Sequence, residues 1–126
     1  GREIGLSAGP SLACKAAALG KKYTVPFSGT AGFIYVEDVA SCYVEAIKTM
    51  PSGAHVFNLL GVTTGVRSFV NEIKKQQPKA EIDFSGPSLP IAGVLEQGPM
   101  IQTLLPNVEE TDLKKGIEQT ITYYKM

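Results

Sequence analysis

The stretch Gly32–Met50, GFIYVEDVASCYVEAIKTM, decides how the rest of the chain is read. Its opening, FIYV, is aromatic and β-branched, the composition of a strand. From about Asp38 the apolar residues Val39, Tyr43, Ala46, Ile47 and Met50 recur at three and four, which predicts a helix with one apolar face running to Met50. A strand running straight into a helix places two acids, Glu37 and Asp38, at the junction. They are either a catalytic pair or a helix cap beside a solvated neighbour. Adjacent strand residues face opposite sides, so the two carboxylates are badly placed to share a substrate. An acceptor at the helix start satisfies free N–H groups of the first turn, and its charge meets the positive end of the helix dipole, together worth about 1 kcal/mol. Asp38 is therefore assigned as a structural cap and Glu37 to solvent.

Upstream, SAGPSLACKAAALGKK predicts a helix capped by Ser7 or Ser11, with Pro10 in its first turn, Leu12, Ala16 and Leu19 as its apolar stripe, and Gly20 past its end. KYTVPF is next, a short edge strand limited by Pro26, and then SGTAG as a turn. Downstream, PSGA breaks the central helix, HVFNLLG reads as a strand buried on both faces, and VTTG as a turn with Thr64 a possible cap. VRSFVNEIKKQQP predicts an amphipathic helix through Val66, Phe69, Val70 and Ile73, stopped by Pro78. AEIDF is a short strand, Ser85–Pro99 a Gly/Pro-rich loop, and a last helix runs from about Val108 to Tyr124 with Leu113, Ile117, Ile121 and Tyr124 on one side. Helices alternating with short strands define an α/β fold with parallel crossovers.

The totals exclude several classes of function. The chain has 126 residues, enough for one domain with a real core. Lys plus Arg and Asp plus Glu number 12 each with no basic block, so neither nucleic acid nor an anionic membrane is the expected partner. No apolar run approaches the ~18 residues of a membrane span, and the polar start Gly1-Arg2-Glu3 carries no signal-peptide core. The two cysteines, Cys14 and Cys42, fall in apolar helical patterns and read as buried free thiols of a reducing cytoplasm. The chain opens without Met in a Gly-rich turn, which predicts a piece of something larger.

No G-x-G-x-x-G, P-loop, G-x-S-x-G or C-x-x-C occurs, and the only histidine, His55, reads as a surface or strand-edge residue. A Cys/His metal cluster is thereby excluded, and no metal ligands are assigned.

The motifs that are present resemble a family. FIYVEDVASCYVEAI is similar to the F-x-Y/H-V-x-D-V-A segment of the NAD-dependent epimerase/dehydratase family, the extended short-chain dehydrogenases/reductases. GAHVFNLLG is similar to that family's g-x-x-Y/F-N-hydrophobic-G strand, TTGVRSFVNEIKKQQPKAEI to its cap, helix and strand, and DLKKGIEQTITYYK to its closing helix. GREIGLSAGP looks like the segment just after the family's Y-G-P-G-R turn, so the resemblance covers nearly the whole chain. It implies the C-terminal portion of a Rossmann-type fold: the last Rossmann strand and helix plus a small substrate-binding subdomain. On that footing 1–36 and 80–126 form the substrate-binding part, and 37–79 is a helix–strand–helix unit packing on the Rossmann side.

The family's N-terminal half carries G-x-x-G-x-x-G, a Ser/Thr and Tyr-x-x-x-Lys. Here Tyr35 is followed four on by Val39, and Tyr43 by Ile47, so no catalytic or cofactor-binding residue is assigned. NAD or NADP would bind the full-length parent and not this chain alone. The implied partners are the N-terminal Rossmann half and a small substrate, with the parent a homodimer. The implied function is the substrate-binding part of an NAD(P)-dependent epimerase, dehydratase or reductase acting on a sugar or carbonyl compound; the alternatives are a non-catalytic α/β module binding a ligand or partner, and a redox-sensing relative. Family members acting on nucleotide sugars carry an Arg two residues before the motif's Phe, and this chain has Ala31 there, which favours a smaller sugar acid, polyol or carbonyl compound. Arg2, Ser28 and Thr30 are the candidate substrate contacts, Arg2 being the nearest remaining anion-binding side chain.

Overall fold

A computed structural model describes residues 5–59, 61–90 and 101–126. A 3-10 turn, Leu6–Ala8, leads into α1, Gly9–Ala18. Strands β1, Tyr23–Val25, and β2, Thr30–Phe33, precede α2, Val36–Thr49. Strand β3, Val62–Gly65, runs into α3, Val66–Gln76, followed by β4, Ile82–Phe84, a second 3-10 turn, Ile101–Thr103, and α4, Leu113–Lys125. Strand β1 pairs parallel with β4, aligning Tyr23 with Ile82 and Val25 with Phe84. Strand β2 pairs antiparallel with β3, aligning Thr30 with Gly65 and Phe33 with Val62.

One core holds α1, α3 and α4 against the β1–β4 pair. The face predicted for α3 is the one it buries: Val66, Phe69, Val70 and Ile73. Phe69 stacks on Phe33 with ring centroids 4.6 Å apart, tying β2 to the same core. In α4, Ile117 and Ile121 are buried as the spacing predicts. In α1 the buried side chains are the small ones, Ala13, Cys14, Ala16 and Ala17, while Leu19 is exposed, so the expected Leu12–Ala16–Leu19 stripe is displaced. Small side chains let α1 approach β1 and α4 closely, and the larger residues are left at the edge. No side chain caps α1, contrary to the expectation for Ser7 or Ser11; its N-cap is Ala8, with Pro10 in the first turn as read. Gly20 sits just past its end at φ 65°, and the Lys21 N–H closes on the Ala16 carbonyl at 2.8 Å.

The central stretch differs from its reading in register. The strand covers Thr30–Phe33 rather than FIYV, and VTTG is its partner strand rather than a turn. The pairing decides the boundary. Gly61, at φ 60°, lies so close to Phe33 that any Cβ there would collide with the Phe33 carbonyl, and the ladder ends one residue before it, at Phe33–Val62. Helix α2 then begins at Val36 with Tyr35 as N-cap, which puts Asp38 inside the first turn. Asp38 is therefore not the cap; no side chain caps α2. Thr64 likewise caps nothing, because Gly65 is the N-cap of α3. The last helix starts at Leu113, five residues later than read, because Asp112 caps it by accepting from the Lys115 N–H at 2.8 Å.

Residues 55–59, expected as a doubly buried strand, form no strand, and Val56 is 90% exposed. A strand needs a neighbour to take its N–H and C=O groups, and no described strand lies beside this one. Leu60, and residues 91–99 of the expected loop, lie outside the described residues.

Helix α2 stands apart from the core. Cys42 is its one buried residue, packed with Leu105 and Val108 in a small second cluster. Its apolar stripe faces outward, with Val36, Tyr43, Ile47 and Met50 all 71% exposed or more. Within the span 37–79, therefore, α3 belongs to the main core and α2 does not. Replacing the fully buried Ile73 by Ala is expected to cost about 2–5 kcal/mol in urea unfolding. Ile47→Ala on the bare face is expected to cost no more than about 0.5 kcal/mol. Equal losses would contradict this division of the chain.

Candidate functional site

A cavity of about 220 Å³ lies between the N-terminal halves of α1 and α4. Ser7 and Ser11, one helical turn apart, bring hydroxyls from the α1 side, and Thr120 brings one from α4. Cys14, Phe33, Phe69 and Ile117 form its apolar floor. Tyr35 stands at its edge, and Thr111 and Asp112 close the end where α4 begins. A broader groove, lined also by Glu37, Glu118 and Tyr123, shares Ser11, Ile34, Tyr35 and Thr120 with the cavity, so the two meet at Tyr35.

The groups around this space are held in definite states. Burial pushes the Cys14 thiol up to about 12, which keeps it neutral and unreactive at ordinary pH. Burial also raises Tyr35, helped by the negative charge of Glu37, which accepts its hydrogen bond, and by Asp38. A phenol shifted in that direction holds its proton, and its fourth neighbour is Val39 rather than a lysine. Thr120 Oγ1 donates to the Gly116 carbonyl at 2.7 Å, which leaves its lone pairs to accept.

Asp38 takes a different role from the cap expected of it. Its carboxylate accepts the Thr111 N–H at 2.7 Å and the Thr111 hydroxyl at 2.6 Å. The two acids of the opening stretch are thus separated by their engagements, Asp38 on Thr111 and Glu37 on Tyr35, and not by strand alternation, since both lie in the first turn of α2.

The residues expected to contact substrate are not gathered here. Ser28 donates from Oγ to the Gly86 carbonyl at 2.8 Å and from N–H to the Pro87 carbonyl at 3.0 Å, clamping the chain before β2 to the segment after β4. Gly29, at φ 80°, passes so close to Ser88 that a Cβ would strike its hydroxyl. Thr30 is exposed opposite Gly65, and neither Ser28 nor Thr30 lines the cavity. Arg2 lies outside the described residues. Ala31 is 5% exposed and part of the core, so that position faces inward rather than toward a ligand. His55 is exposed, with Nε2 2.6 Å from the Ser52 carbonyl. Among the described residues no cluster of His, Cys, Asp and Glu is arranged to hold a metal ion, and no helix is long and apolar enough to cross a membrane.

Sequence reasoning missed Tyr35, Thr111 and Thr120 as neighbours of one cavity. Only Thr111-Asp112 carried a local signal, a capping residue directly before the periodic apolar run of α4.

This architecture is α/β, with the arrangement of part of a Rossmann-type fold. The chain is similar to a solved structure described as a partial consensus L-threonine 3-dehydrogenase (E-change), with a TM-score of 0.70 and 15% sequence identity. The match covers 96% of this chain and 43% of that one, so the chain spans less than half the length of the protein it resembles. No protein-family model and no curated protein matches the sequence.

The neutral Cys14 thiol sets an expectation for pH. Its folded value lies above its ordinary 9.0, so the stabilisation it gives is fully present below pH 9 and lost as pH rises toward about 12. In a Cys42→Ser background, iodoacetamide at pH 8 is expected to label Cys14 at least about a hundredfold more slowly in the folded chain than in urea. Labelling within tenfold of the unfolded rate, on the order of one unit of thiol shift, would contradict its burial.

Proposed function

We propose that this chain is the substrate-side portion of an NAD(P)-dependent oxidoreductase or epimerase whose cofactor-binding half lies in another stretch of polypeptide. The observation that carries this reading is the likeness to a dehydrogenase over nearly all of this chain and less than half of the other. The sequence agrees, because neither a glycine-rich pyrophosphate loop nor Tyr-x-x-x-Lys occurs in it. So does the surface. The stripe of Val36, Tyr43, Ile47 and Met50 on α2, and the unpaired segment 55–59 that reads as a strand, are the faces a parent sheet would cover.

On this reading the parent exchanges hydride between nicotinamide and a small hydroxyl- or carbonyl-bearing substrate. The tyrosine and lysine of the other half move the proton, and this portion positions the substrate. NAD or NADP would contact this chain only at its border with that half, and the assembled parent would be a homodimer.

The cofactor reading is tested by fluorescence titration of this chain with NADH. Binding is expected to be weaker than about 1 mM, a standard free energy of no more than about 4 kcal/mol. Saturable submillimolar binding would overturn the assignment of the cofactor to another stretch of chain.

A further inference from the structure

We propose that the cavity between α1 and α4 binds a small, uncharged polyol or hydroxy-carbonyl compound and discriminates against carboxylate- and phosphate-bearing molecules of the same size. This inference rests on the cavity itself and holds whether or not the dehydrogenase reading does.

Size sets the first limit. At about 220 Å³ the space is below the roughly 300–1,000 Å³ of pockets for drug-sized ligands. By the ~30 Å³ that each molecule takes in liquid water, it still holds a compound of roughly half a dozen heavy atoms. A nucleotide is too large for the cavity without the adjoining groove, and a compound of a few carbons fits the cavity by itself.

Chemistry sets the second. Ser7, Ser11 and Thr120 present hydroxyls, which donate and accept alike and so suit other hydroxyls and carbonyls. The floor of Phe33, Phe69 and Ile117, with the neutral Cys14 thiol beside it, suits the C–H face of the same molecule. A site lined by hydroxyls over an apolar floor matches a ligand with the same two faces.

Charge sets the third. Among the described residues no Lys, Arg or His lines the cavity, and Asp112 is the one acidic residue in its lining. The N-terminal halves of α1 and α4 both face the space, and each helix end carries roughly +0.5 of a charge. These helix ends offset part of the charge of Asp112, which is itself exposed and bonded to the Lys115 N–H of α4. The adjoining groove adds Glu37 and Glu118 along the approach. Among the described lining residues an anion gains no cation and meets carboxylates on the way in, whereas a neutral molecule meets no charge repulsion.

The test is a nitrogen-15 amide titration of the whole chain, at fixed ionic strength, with four probes: erythrulose, erythritol, the four-carbon acid threonate and glycerol phosphate. Erythrulose or erythritol is expected to shift the amides of Ser11, Cys14, Tyr35 and Thr120 saturably in the millimolar range. Threonate and glycerol phosphate are expected to shift the same amides with at least about tenfold weaker affinity. Thr120→Val should weaken the neutral probe several-fold without unfolding the chain, because the lost hydroxyl bonds only its own helix. Ser11→Leu, at an exposed position, should block the mouth and abolish the shifts while the circular dichroism is unchanged. The proposal is overturned if no neutral probe gives saturable shifts at these amides, if shifts scatter over the surface, or if either anion binds as tightly as the neutral probes. No nicotinamide is present in the experiment, so its outcome bears on the cavity alone.

Discussion

The Asp38 carboxylate joins parts of the chain that are 73 residues apart in sequence. It accepts both the N–H and the hydroxyl of Thr111, at 2.7 and 2.6 Å, and Thr111 immediately precedes the cap of α4. Hydrogen bonds to a charged group contribute about 1.5–3 kcal/mol each, which is large beside the little else that holds α2. That helix buries Cys42 against Leu105 and Val108 and contributes nothing further to either cluster than a half-buried Ala46. The same contact fixes the end of the cavity, since Thr111 and Asp112 form its rim. One carboxylate thus positions both a loosely attached helix and one end of a candidate binding site.

The remainder of the chain is built differently. Small residues on α1 and branched or aromatic ones on α3 and α4 close around the short parallel pair of β1 and β4. That unit holds the larger of the two buried clusters among the described residues. The contrast with α2 is the physical content of the proposed division: a body around the larger cluster, and a helix and an unpaired segment whose apolar faces have nothing over them.

How much of this was legible depends on what each feature rests on. Helix α3 and strand β4 could be read because Val66, Phe69, Val70 and Ile73 repeat at helical spacing and Pro78 stops the run. The apolar stripe of α2 could be read as well, but periodicity tells which face is apolar and not whether anything covers it. Strand boundaries could not be read. FIYV has the stronger local propensity, yet the ladder sits on Thr30–Phe33 because Val62–Gly65 pairs there and Gly61 ends it. The role of Asp38 was lost with that register, since a shift of the helix start by two residues turns a cap into a long-range acceptor. The cavity had no sequence signature, because Ser7, Ser11, Tyr35 and Thr120 are ordinary residues brought together only by the packing of α1 on α4.

Helix α2 is held by the Asp38–Thr111 clasp, a longer Asn107–Glu45 contact at 3.5 Å and a small cluster, outside the main core. Native-state amide hydrogen exchange tests this most directly. The amides of α3 are expected to exchange only through global unfolding, and those from Tyr43 to Thr49 through a separate opening of lower free energy. Asp38→Ala should lower that second opening further and leave α3 unchanged. Exchange of α2 at the same free energy as α3 in the wild-type chain, with both shifting together in the variant, would contradict this division.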